Sequence, residues 1–300
     1  MRTPVVSFFA LIVAVASVHG DLAETMRRMD ALDDEGKHLQ AFQALEAVLV
    51  MAPESDGRTK AEILWRLARA SMYLGGEAER RGATEAELLS YYETGERYGQ
   101  MAIDSDPTSF QSYFWKAGNA GRWGQTKGVL SALAKAFEMR KLLSQAMELN
   151  PDDRGPYLVL GLLFDEVPGP PIGFGNTEYA VSLGRKAVDL MERVVKDGVE
   201  DRPEYDYYTE LAKHLYKRNW GVDRRARSVA ENRSRLAAAS DALSRGCFYE
   251  SSVPIPAISD REEARALARK AVDGLTALPE RTLSEEDTLR EALDMLAASR

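Results

Sequence analysis

Residues able to bind a metal or to carry acid–base chemistry are scarce in this chain of 300 residues. The three histidines are His19, His38 and His214, and no pair of them has zinc-ligand spacing. The lone Cys247 has no partner for an internal disulfide, so we expect a buried packing residue. The acidic stretch 30–35 lacks the glycine and terminal glutamate of a calcium loop, and we interpret it as a loop and helix cap. The sequence predicts no metal and no cofactor.

Signatures of nucleotide binding and nucleophilic catalysis are also missing. The glycine-rich stretch 168–175 is not followed by Gly-Lys-Ser or Gly-Lys-Thr, and no strand pattern precedes it, so it does not match a phosphate-binding loop. A Gly-x-Ser-x-Gly nucleophile turn does not occur. We therefore predict a protein that is not an enzyme. An enzyme built on Arg66, Asp165 and neighbouring tyrosines is the third alternative.

The chemistry that remains is recognition by aromatic, arginine and amide side chains. In a chain of paired helices, one stripe of each pair's first helix faces a concave groove. The candidate groove residues on that stripe are Arg66, Tyr73, Trp115, Asn119, Arg122, Leu158, Leu162, Asp165, Lys213 and Tyr216. For Tyr73 and Trp115 two interpretations are open, contact with a ligand and packing between repeats. Trp65 is predicted to lie in the core.

The elements that must carry these residues are helix pairs of the tetratricopeptide type. Residues 157–164 read Tyr-x-x-Leu-Gly-x-x-Phe, and residues 180–187 read Ala-x-x-x-Gly-x-x-Ala. Gly161 and Ala180 are small enough for two helices to approach closely, while Tyr157 and Phe164 fill the gaps between turns. One such pair cannot bury its apolar face alone, so the pattern predicts stacked neighbours.

Three more second helices share this frame, and each is followed by a proline, at Pro53, Pro107 and Pro151. Their frame residues are Ala41, Leu45 and Val48; Gly95, Gly99 and Ala102; and Met139, Leu143 and Ala146. The predicted first helices are Leu22 to Leu32, Glu62 to Leu74, Phe110 to Gly121 and, for a fifth pair, Tyr205 to Tyr216. The sequence thus predicts four repeats and a partial fifth.

Three stretches interrupt this order. We interpret residues 75–87 as a polar insertion and residues 123–129 as a longer connection within a helix pair. Residues 167–175 hold three prolines and predict a loop. After Asp223 a helical pattern is predicted to run to Ser244.

The C-terminal part is predicted to form two capping helices that cover the apolar end of the repeats. Ser259-x-x-Glu262 and Thr282-x-x-Glu285 are the capping boxes that open them. The predicted organisation is a signal peptide over 1–20, a tetratricopeptide α-solenoid of four to five helix pairs over 21–250, and C-terminal capping helices over 251–300.

Composition supports an all-α fold class. Hydrophobic residues make up 45% of the chain, and no alternating strand pattern interrupts the alanine, leucine, glutamate and arginine background. The formal net charge of −8 makes nucleic acid an unsuitable partner. We interpret the basic run from Lys213 to Arg227 as a solvated helix face.

The N-terminus has the pattern of a secretory signal peptide. Arg2 precedes an uncharged apolar run from Thr3 to Val18, and Val18-His-Gly20 offers a cleavage site before Asp21. The run is shorter than the roughly 20 apolar residues of a membrane span, and no cysteine stands near the cleavage site for lipid attachment. We predict export to a Gram-negative periplasm without a lipid anchor.

Residues 115–128, 141–151 and 160–169 carry a family resemblance. They resemble bacterial exported tetratricopeptide proteins of the TatT-like type, which are associated with tripartite ATP-independent periplasmic (TRAP) transporters. A more distant likeness is to regulator-of-microtubule-dynamics proteins. The TatT resemblance implies a helical repeat body that can form homo-oligomeric trimers around a cavity. It also implies a periplasmic solute-binding protein as partner and a small organic-acid or hydrophobic ligand. The chain departs from TatT proteins in lacking the lipidation cysteine.

Two functions follow from these observations. The first is an exported, non-enzymatic adaptor that binds a protein partner in a concave groove. The alternative is a periplasmic accessory component of a TRAP-type transport system that holds a small ligand. Ligand that co-purifies with the protein would favour the second, and an empty groove that captures a peptide would favour the first.

Overall fold

The computed structural model describes residues 22–51 and 56–298, and within them the chain is helical, with no β-strand. The thirteen α-helices of these residues are α1 Leu22–Asp34, α2 His38–Met51, α3 Gly57–Arg80, α4 Glu85–Ser105, α5 Phe110–Lys127, α6 Val129–Leu149, α7 Arg154–Glu166, α8 Thr177–Lys196, α9 Asp206–Arg218, α10 Val222–Ala238, α11 Ala242–Cys247, α12 Asp260–Thr276 and α13 Leu283–Ala298. A 3-10 helix spans Tyr249–Ser251. The predicted all-α class is confirmed. The predicted signal peptide lies outside the described residues.

The described chain forms two compact units. The N-terminal unit ends at Leu142 and the C-terminal unit begins at Leu143.

Helix pairs in the predicted order make up the N-terminal unit. Helix α1 packs on α2, α3 packs on α4, and α3 also contacts α5, the first helix of the next pair. The predicted prolines mark the ends of second helices: α4 ends at Ser105, two residues before Pro107, and α6 ends at Leu149, two residues before Pro151. A proline ring cannot continue a helix, which explains this regularity.

Glycines set how closely these helices approach. A Cβ atom on Gly75 would lie 2.4 Å from the ring of Tyr92, and one on Gly99 would lie 2.7 Å from the Cβ of Lys116. Both distances are too short for any real side chain, so α4 fits against α3 and α5 only because these positions are glycine. The predicted role of small residues in this frame therefore has a direct structural counterpart.

The extra length of the N-terminal repeats lies in the helices, and the two predicted insertions are wrong in this respect. Residues 75–80 continue α3, where Ala78 is buried against Leu88 and Tyr92. Residues 123–127 continue α5, and Gly128, with φ of +98°, alone separates α5 from α6. Both stretches look like loops in the sequence because they contain many polar residues, but a long amphipathic helix also has one polar face.

In the C-terminal unit, α7 and α8 form the pair that the Tyr-x-x-Leu-Gly-x-x-Phe pattern predicted. A Cβ on Gly161 would lie 3.4 Å from the carbonyl oxygen of Ala180, while Tyr157 and Phe164 are buried. Residues 167–176 form the non-helical connection between the two helices, as predicted.

The fifth pair differs from the prediction. Helix α9 packs on α8 and also on α12, so α12 lies beside α9 where the second helix of a pair is expected. The helix after Asp223 ends at Ala238, short of the predicted Ser244, and α11 begins anew at Ala242 with Asp241 as its cap. The capping box at Ser259 and Glu262 is present, and Thr282 exchanges backbone and side-chain hydrogen bonds with Glu285.

None of the helices over the described residues is both long and apolar enough to cross a bilayer.

Candidate functional site

An ion-pair network joins α1 to α3 in the N-terminal unit. The Arg66 guanidinium donates two hydrogen bonds of 2.9 Å to the two carboxylate oxygens of Asp30, and a third of 2.7 Å to Glu62. Arg69 pairs with Asp30 at 2.7 Å and with Asp33 at 2.5 Å. Paired acids three residues apart on α1 thus meet paired arginines three residues apart on α3.

Asp30 and Asp33 are helical, so the interpretation of this acidic stretch as a loop and cap is wrong for them. Both lie within α1. Asp33 is buried, and its second oxygen accepts from His38 Nδ1 at 2.6 Å. Buried carboxylates need such partners, so the ionic side of α1 is turned towards α3 and not towards solvent.

Three partly buried rings, one each on α2, α3 and α5, continue this network. The His38 ring lies 4.7 Å from Tyr73, and Tyr73 meets Trp115 edge to face at 5.8 Å. Trp115 also packs on the core cluster that contains Trp65. We call the set Asp30, Asp33, His38, Arg66, Arg69, Tyr73 and Trp115 the aromatic–ionic face.

Asp30 and Arg66 stabilise each other in their ionised forms. Burial raises the pKa of Asp30, but the hydrogen bonds and charges of Arg66 and Arg69 outweigh burial, and the pKa lies below the ordinary value. For Arg66, burial lowers the pKa, whereas Asp30 and Glu62 raise it further, above its ordinary value. Asp30 and Arg66 therefore stay charged near neutral pH and act as fixed hydrogen-bonding groups.

The other predicted N-terminal residues do not join this face. Asn119 is wholly buried, and its amide donates to the carbonyl oxygens of Ala68 and Trp115 at 2.9 Å each, so it cannot meet a ligand. Arg122 forms an ion pair with Glu79. Trp65 is 6% exposed and lies in the core, as predicted.

In the C-terminal unit the predicted residues lie on α7 and α9. The carboxylate of Asp165 lies 3.3 Å from Lys217 Nζ and 3.7 Å from His214 Nδ1. Burial raises the pKa of Asp165, but His214 and Lys217 outweigh it and the pKa is lowered. Leu158, Leu162 and Tyr216 are partly buried.

Lys213 is engaged elsewhere. Its ammonium lies 2.8 Å from Glu210 and 2.6 Å from Glu291 on α13. Helix α13 therefore neutralises a charge that the sequence assigned to a groove.

A buried network of six charges, which the sequence did not reveal, joins α8, α9, α10, the 3-10 helix and α12. Its members are Arg185, Arg218, Arg225, Glu250, Asp260 and Glu263. Arg218 donates two hydrogen bonds of 2.8 Å to Asp260, and Arg185 reaches Glu263 at 2.7 Å. The interpretation of the Lys213 to Arg227 run as a solvated face is wrong for Arg218 and Arg225, whose side chains are 2% and 1% exposed.

Among the pockets over the described residues, two of the larger ones open on the C-terminal unit. One, of about 580 Å³, is lined by Glu200, Glu204, Asp206 and Glu285 among others. The second, of about 380 Å³, is lined by Trp220 and by three arginines of α10. Across the described residues no group of three or more His, Cys, Asp or Glu side chains is arranged to hold a metal ion.

Sequence reasoning missed Asp30, Asp33, His38 and Arg69. A usable signal existed, because two acids and two arginines each stand three residues apart on helices predicted as neighbours. The six-charge network offered no comparable signal, since its members are scattered over 79 positions from 185 to 263.

Comparison with known proteins bears most on the N-terminal unit and α7. Residues 25–167 match the family model described as regulator of microtubule dynamics protein 1-3. The match favours the more distant of the two likenesses that the sequence carries. It covers every residue of the aromatic–ionic face.

Individual relatives carry the same description. Regulator of microtubule dynamics protein 1 of Pongo abelii is 30% identical over 167 residues, which is 55% of this chain and 49% of the relative. The Bos taurus protein is 28% identical over 158 residues, 53% of this chain and 46% of the relative. The chain spans about half the length of these relatives.

A solved structure supports the fold. A thermophilic TPR protein of Thermus thermophilus superimposes with a TM-score of 0.54 at 15% identity, covering 91% of this chain and 99% of that one. The likeness confirms the predicted tetratricopeptide-type α-solenoid class.

Proposed function

We propose that this chain is a non-enzymatic binding protein whose aromatic–ionic face engages a protein partner. The observation that carries the proposal is the convergence of His38, Tyr73 and Trp115 beside Arg66 and Arg69. Partly buried aromatic rings next to arginine are the composition of binding hot spots. Helical repeat proteins use such surfaces for protein partners.

The relatives' description suggests the class of partner. Because the match to regulators of microtubule dynamics covers the helices that carry the face, we propose the microtubule polymer as the first partner to test. The alternative from the sequence is a TRAP solute-binding protein in a periplasm, and its support is the TatT resemblance and the predicted signal peptide. The two partners exclude each other, because microtubules lie in the cytosol.

Co-sedimentation with polymerised tubulin tests the proposal. We expect residues 21–300 to pellet with the polymer and Trp115→Leu to lose most of that binding, since leucine keeps apolar bulk on the core but removes the ring. Trp123→Leu is the matched control. It changes the same residue type on the same helix, and its ring packs on a separate cluster with Tyr92.

The outcomes separate the candidates. Failure of the wild type to pellet, with capture of a TRAP solute-binding protein from periplasmic extract, would replace the microtubule proposal with the transport alternative. An equal loss of tubulin binding in Trp115→Leu and Trp123→Leu would show that the aromatic–ionic face is not the binding site. Capture of neither partner would reject both functions.

A further inference from the structure

Helix α10 presents an exposed basic surface on an acidic protein. It carries five arginines against two acids, Asp223 and Glu231, whereas the whole chain has a net charge of −8. Of these arginines only Arg225 is buried. The others face solvent, so their charge is available to something outside the chain.

Three of the exposed arginines line one pocket. Arg224, Arg227 and Arg235 line the 380 Å³ pocket, together with Glu178 at the start of α8 and Glu231. The volume falls in the range of ordinary ligand pockets. Among the described residues neither Arg224 nor Arg227 forms an ion pair with a carboxylate. Each arginine of the buried network, in contrast, pairs with two carboxylates.

The contact with Trp220 positions Arg224 to bind an anion. Its guanidinium carbon lies over the Trp220 ring, 4.2 Å from the ring centroid. Trp220 is itself fixed, because it is buried and its backbone N–H donates to Asp260 at 2.8 Å. A stacked guanidinium keeps its N–H groups free at the edge, where they can donate two parallel hydrogen bonds to a carboxylate.

The spacing of the arginines selects an extended ligand. Eleven residues of helix separate Arg224 from Arg235, which is about 16 Å along the axis. A single small anion cannot span that distance, whereas about five residues of extended peptide can. Glu231 lies between Arg227 and Arg235, so the matching ligand has its acids at the two ends and neutral residues between them.

Other polyanions fit less well. Trp220 is covered by Arg224 and Arg218, so it offers no open ring on which a nucleic-acid base could stack. A membrane-surface helix needs an apolar face, and the large hydrophobic residue that α10 exposes is Val222 at its first position.

We propose that this pocket binds an extended acidic peptide segment of a partner protein, with two carboxylates about four residues apart. One carboxylate pairs with Arg224 and Arg227, and the other pairs with Arg235. This site lies outside residues 25–167 and is independent of the aromatic–ionic face.

Fluorescence anisotropy with a labelled synthetic heptapeptide tests the proposal. The test peptide carries glutamates at its second and sixth positions and serine or glycine elsewhere. We expect saturable binding to the full mature chain, and a loss of at least about tenfold in Arg224→Ala and in Arg227→Ala, because each removes a charged hydrogen-bonded partner. Arg233→Ala is the matched control: it removes the same charge from the same helix, where Arg233 is exposed and outside the pocket.

Several results would overturn the proposal. A loss in Arg233→Ala equal to that in Arg227→Ala would show diffuse attraction and no site. Equal binding of a peptide with glutamine in place of both glutamates would show that the carboxylates do not contribute to binding. Absence of peptide binding, with binding to phosphatidylserine vesicles, would identify α10 as a membrane contact instead.

Discussion

Arg218 carries its charge into the interior of the C-terminal unit and depends on two carboxylates there. It lies 2.6 Å from Glu250 and 2.8 Å from Asp260. Burial lowers the pKa of Arg218, but these acids outweigh burial and raise it. For Glu250, burial raises the pKa, whereas Arg218 and Arg185 lower it to below the ordinary value.

We predict that Arg218→Ala lowers the free energy of unfolding by about 3–5 kcal/mol, because it leaves buried carboxylates without their partner. Urea unfolding at neutral pH measures this loss. Arg233→Ala, an exposed change on α10, is expected to stay within about 0.5 kcal/mol of wild type. A loss below about 1 kcal/mol in Arg218→Ala would contradict the role of the network.

Asp206 gives an opposite pH dependence from most acids. Burial, aided by the charge of Glu204, raises its pKa from 3.8 to about 6. A carboxylate whose folded pKa lies above its unfolded value disfavours the folded state when it is ionised. Its destabilising effect is therefore present above about pH 6 and disappears as pH falls towards 3.8.

We predict that Asp206→Asn is more stable than wild type at pH 7, by on the order of 1 kcal/mol, and that this advantage closes by pH 4. Urea unfolding of both proteins at the two pH values measures the difference. An advantage of equal size at pH 7 and pH 4 would show that ionisation of Asp206 is not its cause.

At the scale of single residues, burial was predictable where one helix face decided it. Trp65 and Cys247 are buried as predicted. Asn119 was not predictable, since its position on the stripe predicted exposure, while the glycine at position 95 lets α4 approach closely enough to enclose its side chain.

At the scale of elements, the contact between α4 and α5 rests on Gly95. A Cβ atom there would lie 2.0 Å from Asn119 Oδ1. The Asn119 amide is fixed by its bond to the Ala68 carbonyl, so it has little room to move away.

We predict that Gly95→Ala lowers the free energy of unfolding by about 1–3 kcal/mol, because the added methyl group overpacks the contact. Gly76→Ala is the matched control, because Gly76 lies inside α3 and the nearest atom to its new Cβ would be Arg80 Nη1 at 3.9 Å. For Gly76→Ala we expect the free energy of unfolding to rise by about 0.5–1 kcal/mol. Thermal unfolding should shift in opposite directions, and a shift in the same direction for both would contradict this packing argument.

Helix pairs could be predicted because their information is local. Small residues and terminating prolines lie within one repeat, and they located both helices of four pairs. The partner of α9 could not be found in this way. The sequence pattern of the helix after Asp223 is as strongly helical as that of α12, so local pattern does not tell which of the two packs on α9. Only α12 brings Asp260 and Glu263 to the buried arginines.

At the scale of the whole molecule, the predicted export rests on residues 1–20. Cleavage before Asp21 would remove one arginine and no acid, leaving 38 basic against 47 acidic residues and a charge of −9. We predict that the full chain, expressed in a Gram-negative host, is recovered from the periplasmic fraction with an intact mass that begins at Asp21. Recovery in the cytosol with residues 1–20 retained would contradict export.

The family match and the basic pocket lie in different parts of the chain. Residues 25–167 resemble microtubule regulators, whereas α10 and the buried charges lie beyond them. Variants in the two regions are expected to act independently on tubulin and on acidic peptide, since the two sites share no residue.

The distance of 42 positions between Arg218 and Asp260 also sets an order of events during synthesis. At about 5–20 residues per second, Asp260 leaves the ribosome about 2–8 s after Arg218. Throughout that interval α9 of the nascent chain lacks α12, and Arg218 lacks its carboxylate partner Asp260. We expect the last third of the chain to mature only after translation has passed α12, and this interval is when a chaperone would meet it.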